Sequence, residues 1–382
     1  MSTEKVVDLA ESRRKIDEID AQIVKLFRER MDVATDVAAY KRSTGKKVFD
    51  PEREEQKLKA LRDMVDGEFN KTSIEDLFRQ IMSISRKHQY QVLGPREEES
   101  PFREVEHIEI TEDMKVVYFG EPGSFTEQAM IEVFGEKPVA VHKSTFREIM
   151  QAVSEGEASF GILPIENSTT GAVEGINDLL MEYGVTIIAE HMIKVEQNLL
   201  AVPGARLQDI KTVFSHQQGI LQCEKFIREN DFGTKTDAST SAAAMRISKE
   251  KNPALAAIAG KRAAEVFGLE ILAEDINDEK NNFTRFIVIT NQRIFLKDAE
   301  KLSLCLEIRH QVGALYNMLA NFYYNGLNLT KIESRPIENR NWEYRFFVDV
   351  EGNVNSPGVE NALATMREFA SKLSILGNVA KR

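Results

Sequence analysis

From Val7 to Ser43 the chain runs without one glycine or proline. Nothing in that stretch stops or kinks a helix, so it reads as a single rod on the order of 55 Å long at 1.5 Å per residue. A ninety-residue monomeric unit cannot cover such a rod. Its apolar residues Ile16, Ile19, Ile23, Leu26, Val33, Val37 and Tyr40 keep a near-heptad spacing, which predicts pairing with a second copy of the same helix. The series breaks once. Where an apolar residue is due after Leu26, Arg30 stands, and a desolvated guanidinium needs an anionic partner. Lys41 lies three turns further along the same face, whereas Arg13 sits roughly 100° round the helix and faces elsewhere.

Two more helices follow. Asp50-Pro51 reads as an N-cap with proline at the first helical position; the residues alone leave a capping and a ligand role equally open for Asp50. Thr72-Ser73-Ile74-Glu75 reads as a capping box that opens the third helix. The stripe Ile74, Leu77, Phe78, Ile81 then continues not in leucine but in Ser85 and Gln89. Inward faces that turn to Arg, Lys, Ser and Gln describe a solvent-poor anion pocket inside a helical bundle. The net charge of −11 makes this local reversal informative. It argues against nucleic acid or an anionic membrane as partner, so an anion must be held by local arginines and helix N-termini.

The remaining chain changes rhythm twice. Residues 94–113, with two prolines and a surplus of acid, read as a linker. Over 114–293 short apolar strands alternate with helical patterns, as in an α/β domain. Over 297–382 the order is strand, helix, strand, strand, helix, strand, the pattern of a small α+β ferredoxin-like domain. Four junctions in the middle segment carry small polar residues: "GEPGSFTEQA", "ENSTTGAV", "SHQQG" and, from Asp237, "DASTSAAA". Helix N-termini of this kind are ready anion sites, although each taken singly is also an ordinary cap. The apolar stretches near 190–202 and 286 read as crossings between two lobes that enclose a cleft. In "EKNNFTRFIVIT", residues 279–290, two asparagines, a threonine and an arginine crowd the mouth of a buried strand, either as a capped turn or as the floor of that cleft. Cys223 and Cys305 are too few for a disulfide framework or a zinc site, and the six histidines lack ligand spacing, so neither metal nor cofactor is expected. With no run near eighteen apolar residues and no signal-peptide pattern, a cytoplasmic protein is expected.

At these residues three resemblances emerge. The helical segment, residues 1–93, resembles the all-helical chorismate mutase domain, whose active-site pattern is matched by Arg13, Arg30, Lys41, Asp50, Arg53, Glu54, Ser85 and Gln89. The resemblance implies an all-α three-helix domain forming a dimeric bundle, with Arg13 reaching into the partner's pocket. Lys41 and Gln89 would donate to the ether oxygen of chorismate, and the other six would grip the substrate. Residues 115–290 resemble prephenate dehydratase through Gly120 to Phe125, Pro164 to Ser168, Ser215 to Gln218, and Thr284-Arg285-Phe286, with Gln217 where that family has proline. This implies a two-lobed, periplasmic-binding-protein-like α/β domain. Thr284 would hydrogen-bond the leaving oxygen, with Asn167, Ser168, Ser215, Gln218, Thr240 and Arg285 holding prephenate. The C-terminal segment resembles an ACT domain through Gly313-Ala314-Leu315, with Tyr316 for the usual valine, and Glu333-Ser334-Arg335-Pro336. The implied whole is a bifunctional enzyme of phenylalanine biosynthesis with phenylalanine as allosteric inhibitor, assembled as a homodimer or homotetramer. The alternatives are a dehydratase whose helical domain only dimerises it, and a non-enzymatic two-lobed sensor.

Overall fold

The computed structural model of the 382-residue chain describes residues 8–93, 102–308, 313–337, 340 and 343–381. The uninterrupted stretch is one helix, α1 (Leu9–Thr44), capped by the Asp8 carboxylate and ended by Gly45 at φ +66°. Helix α2 (Pro51–Arg62) opens under Asp50, whose side chain accepts from Arg53 N. Helix α3 (Glu68–Leu93) starts a turn before the expected capping box, so Thr72 and Ser73 lie in its interior. The cause is Gly67 at φ +81°, which turns the chain early and offers its carbonyl to Lys71 N. Ile74 and Phe78 pack with Leu58, Leu61 and Met82. The inward line of α3 is therefore Ile74, Phe78, Met82, Ser85, Gln89, while Leu77 faces outward. On α1 only Ala34 and Ala38 are buried, and Ile19, Ile23 and Leu26 are 54, 56 and 62% exposed. The seam read from the sequence is a bare apolar face in the single chain.

The α/β unit is entered through β1 (Arg103–Val105), then β2 (Lys115–Phe119), α4 (Phe125–Phe134), β3 (Val139–Lys143), α5 (Phe146–Ser154), β4 (Phe160–Asn167), β5 (Gly171–Ala172), α6 (Ile176–Tyr183) and β6 (Thr186–Lys194). The chain then crosses to a second lobe: β7 (Asn198–Ala201), β8 (Thr212–Ser215), α7 (Gln217–Leu221), α8 (Glu224–Glu229), β9 (Gly233–Thr236), α9 (Thr240–Glu250), β10 (Leu255–Ala259), α10 (Lys261–Phe267) and β11 (Glu270–Ala273). It returns as β12 (Phe283–Thr290), which lies antiparallel between β6 and β4. The crossings are thus 195–197 and 274–282, and Phe286 sits inside the first sheet rather than at a crossing. The two crossings clasp each other: Val195 N donates to Asn282 O, Ile276 N to Gln197 O, and Gln197 N to Asn277 Oδ1 at 2.6 Å. Part of the stretch read as a linker is structured too. β1 pairs in parallel with β13 (Ile294–Leu296), and Phe102, Val105, Ile108 and Ile110 pack on buried residues; residues 94–101 lie outside the described residues.

The C-terminal unit has the expected order: β14 (Lys301–Ile308), α11 (Ala314–Tyr324), β15 (Leu329–Pro336), β16 (Tyr344–Glu351), α12 (Pro357–Phe369) and β17 (Ala370–Lys381), in sheet order β15-β16-β14-β17. The sequence pattern of this first strand, from Leu302, continues to His310, which lies outside the described residues. Leu302, Leu304 and Leu306 face the two helices with Met318, Phe322 and Val359, whereas Cys305, Phe347 and Leu376 on the other face pack on Val185 and Ile187. β17 also pairs with β6 through Ala380 and Ala189, so the sheets of the first lobe and the C-terminal unit are continuous. A Cβ at Gly377 would collide with the Ile187 carbonyl, so only glycine permits this approach. Among the described residues no helix is long and apolar enough to cross a membrane, and no cluster of three metal-ligating side chains occurs.

Candidate active sites

The helical unit closes round a cavity of about 260 Å³ lined by Arg30, Lys41, Val48, Asp50, Arg53, Glu54, Lys57, Met82, Ser85, Arg86 and Gln89. Seven of the eight residues read from the sequence therefore converge. Arg13 does not; it is exposed on α1, outside the cavity. Asp50 both caps α2 and lines the cavity, so its two roles are compatible. Ser85 and Gln89 are buried, and Lys41 Nζ donates to Val48 O at 2.5 Å and to Gln89 Oε1 at 3.3 Å. An ammonium can only donate, so the Gln89 oxygen faces Lys41 and its amide N–H groups are left for a ligand. Arg30 Nη1 is buried without a hydrogen-bond partner, and burial pulls its pKa down against the opposing charge of Glu54. The sequence reading missed Arg86, whose Nη1 lies 2.5 Å from both Glu54 oxygens over the Phe49 ring. Its place four residues after Met82, on the inward arc, was the available signal. The lining carries five cations (Arg30, Lys41, Arg53, Lys57, Arg86) against Asp50 and Glu54, a site that favours a small dianion.

In the α/β unit the asparagine of "ENS" organises the first lobe. Asn167 Oδ1 accepts from Thr169 N at 3.0 Å and Thr170 N at 3.1 Å, which fixes the orientation of the amide. Nδ2 must then donate, and it does so to Thr284 Oγ1 at 2.9 Å and to Asn282 Oδ1 at 2.8 Å. Thr284 accepts, so its own proton is left to donate to whatever enters the cleft. Ser168 is a clip: its hydroxyl accepts from Phe283 N at 2.9 Å and donates to Asn281 O at 3.1 Å. Asn282, which the sequence reading passed over, is buried, and its Nδ2 has no partner.

In the second lobe Gln218 and Thr240 stand in the first turns of α7 and α9. Ser215 belongs behind them: it is fully buried and its hydroxyl donates to Ile258 O at 2.7 Å. Its expected contact with substrate is replaced by a structural one, because β8 places it inside the sheet. Gln217 occupies the first position of α7, where proline is favoured, and His216 still caps the turn through Nδ1 to Gln218 N at 3.3 Å. The lobes meet where α4 and α10 start. Arg262 Nε lies 3.3 Å from Glu127 Oε2, and a Cβ on Gly123 would meet Ala263 Cα at 2.9 Å.

Arg285 is the larger correction. Successive strand residues face opposite sides of a sheet, so with Thr284 on the cleft side, Arg285 turns to the other face. There it lies 3.4 Å from Glu166 and 3.8 Å from Glu190, bordering a small cavity that residues of the C-terminal unit also line. In that unit Gly313 adopts φ +78° ahead of α11, with Ala314 packed on the core and Leu315 partly exposed. Glu333 and Arg335 pair at 2.8 Å on the face toward the first lobe, where Asn177 Nδ2 reaches Glu333 at 3.2 Å. Ser334 and Pro336 are exposed on the opposite face of β15, the edge strand.

Comparison with known proteins agrees with this division. Residues 12–90 match the family model of chorismate mutase type II, and residues 116–294 match that of prephenate dehydratase. A bifunctional chorismate mutase/prephenate dehydratase of Aquifex aeolicus is 31% identical over 379 residues, covering 98% of both chains. Among solved structures, the prephenate dehydratase of Arthrobacter aurescens in complex with L-Phe aligns at 30% identity and TM-score 0.65, over 70% of this chain and 90% of that one. A quorum-quenching acylase, GqqA, aligns at 30% identity and TM-score 0.66, over 70% of this chain and 98% of that one. The two-lobed fold thus serves more than one named activity, and the decisive likeness is the one that spans the whole chain, helical unit included. By that likeness the chain belongs to the bifunctional chorismate mutase/prephenate dehydratase family.

Proposed function

We propose that the chain converts chorismate to prephenate in the helical unit and prephenate to phenylpyruvate in the α/β unit, under phenylalanine control. The observation that carries this reading is the convergence of Arg30, Lys41, Asp50, Arg53, Glu54, Ser85 and Gln89 on one cavity. The first reaction is pericyclic and needs no nucleophile or base. It is helped by holding a dicarboxylate in a compact conformer and by donors to the ether oxygen as it gains charge. Arg30 with its unpaired Nη1, and Arg53 beside it, suit the carboxylates. Lys41 and the free amide N–H of Gln89 suit the ether oxygen, and Glu54, steadied by Arg86, suits the ring hydroxyl. Arg13 is assigned to a partner's cavity. The bare stripe Ile19, Ile23, Leu26 supports a dimer through α1, because a monomer rarely leaves so long an apolar face in water.

In the second reaction carbon dioxide and the ring hydroxyl depart as the ring becomes aromatic. Thr284, oriented by Asn167, donates to the departing oxygen. Gln218 and Thr240, in the first turns of α7 and α9, suit the substrate carboxylates, while Ser168 holds the strand mouth through Phe283 N and Asn281 O and Ser215 packs behind Gly219. The βαββαβ unit, its Gly313 turn and its exposed β15 edge support an ACT-type sensor of phenylalanine shared between two copies. The test is to supply purified protein with chorismate alone. Prephenate followed by phenylpyruvate, both suppressed by a helical-unit lesion such as Gln89→Leu, upholds the two-site reading. Dehydration of supplied prephenate without consumption of chorismate would reduce the helical unit to a dimerising module.

A further inference from the structure

Arg285 neighbours Thr284 in the chain and lies on the other side of the sheet. There it begins a chain of alternating charges: Glu166, Arg285, Glu190, Lys301, Asp349. Glu190 pairs with both Arg285 and Lys301, and Lys301 lies 3.5 Å from Asp349 Oδ2. The other Asp349 oxygen accepts from Ser303 Oγ at 2.7 Å. Glu190, Lys301 and Asp349, at the C-terminal-unit end of the series, are only 17, 14 and 14% exposed. The five groups come from β4, β12, β6, β14 and β16, so the series spans the junction between the first lobe and the C-terminal unit. It borders a small cavity that Asn177 and Lys331 help to line.

We propose that Arg285 is a positioning residue for the dehydratase, and that Glu190 and Lys301 carry the state of the C-terminal unit to Thr284 through it. Ion pairs largely withdrawn from water are costly to leave half-made. A shift of β14 that parts Lys301 from Glu190 leaves Glu190 with Arg285 alone. The Arg285 side chain is pulled, and β12 tilts with it. Because Arg285 and Thr284 share one peptide unit, a tilt on one face moves the hydroxyl on the other. The control half of this inference rests on the phenylalanine reading above; the positioning half does not.

The experiment uses the full-length enzyme with Arg285→Gln, Arg285→Lys, Lys301→Met and the double variant Arg285→Gln/Lys301→Met. Dehydratase kcat and KM, mutase rate, phenylalanine inhibition and hydrogen exchange over residues 283–290 are measured on each. Arg285→Gln is expected to lower dehydratase kcat about tenfold with KM for prephenate within about twofold, the signature of lost alignment rather than lost binding. Arg285→Lys is expected to recover most of it, since each carboxylate contact is a single point and not a fork. Lys301→Met parts the Glu190 pair permanently, so its uninhibited dehydratase kcat should already fall about threefold or more with KM within about twofold, and phenylalanine should lower it further by much less than in the wild type. Exchange over 283–290 should quicken in both single variants, and the double variant should be no worse than Arg285→Gln. A KM raised tenfold or more by Arg285→Gln, with Lys301→Met like the wild type throughout, would overturn the proposal and return Arg285 to the substrate. A wild type blind to phenylalanine would overturn the control half alone, because the kcat and exchange results still decide the positioning half.

Discussion

Removing one oxygen atom separates the chemical from the structural role of Thr284. Thr284→Val keeps the β-branched shape in the middle of the sheet and deletes the hydroxyl that Asn167 orients. Asn167 Nδ2 is not orphaned, because it retains Asn282 Oδ1 at 2.8 Å and Phe283 O at 3.2 Å. The stability loss is then that of one partly exposed hydrogen bond, at most ~0.5–1.5 kcal/mol. Losing a donor that meets charge only in the transition state costs about 2.7–4 kcal/mol, or 10²–10³ in kcat. Phenylpyruvate formation from prephenate should therefore fall by two to three orders of magnitude, with the midpoint of thermal unfolding nearly unmoved. Chorismate turnover in the same preparation is the internal control and should persist. Thr284→Ser, which restores the hydroxyl, should return activity to within about tenfold of the wild type. If Thr284→Val keeps more than about a tenth of its dehydratase kcat, or if mutase activity falls in step, the hydroxyl is structural and the orientation argument fails.

Three further outcomes follow from the geometry. Gln89→Leu removes the free amide donor and should lower chorismate turnover by roughly 10²–10³ while sparing dehydration of supplied prephenate. Leu26→Asp places a charge on the bare α1 stripe; sedimentation should show loss of α1-mediated self-association, and mutase activity should fall with it if Arg13 acts in trans. Cys223 and Cys305 are buried, and burial pushes each thiol up to about 12. The thiolate is the reactive form, so at pH 8 a thiol reagent should label neither in the native protein and both in denaturant; rapid native labelling would refute the burial.

How much could be read beforehand depended on whether local pattern or strand parity decided the outcome. Helix α1 and its polar interruption at Arg30 follow from a 3.6-residue period over a long uninterrupted stretch, whereas Arg53 and Glu54 are legible only through the resemblance to the chorismate mutase domain. The start of α3 was misplaced because a sound capping box competed with Gly67, whose positive φ ends the preceding turn first. The resemblance assigns Arg285 to the cleft, grouping the residues before Phe286 together as the floor at the mouth of the strand. Once β12 extends back to Phe283, alternation sends Thr284 and Arg285 to opposite faces. Ser215 carries the right chemistry, but its burial depends on β10 supplying the Ile258 carbonyl, a pairing over forty residues that no local pattern announces. Arg86 was within reach, since it sits on the inward arc, yet a cation beside Ser85 looks like an ordinary solvated face until Glu54 is placed opposite it.

The contact of β17 with β6 sets a timetable for synthesis. The first-lobe sheet is assembled from pieces scattered along the chain. Strand β6 is complete at residue 194, gains β12 only at 283–290, and meets the end of β17 at 380–381. At about 5–20 residues per second, the interval between residues 194 and 380 lasts roughly 10–40 s. During that time one edge of β6, flanked by Ile187, Ile188 and Ala189, has nothing to pair with. Unpaired apolar strand edges on a nascent chain invite association with other chains. The extreme C-terminus thus closes a surface opened half a chain earlier, and products that stop before residue 370 should accumulate as aggregates rather than as soluble two-domain fragments.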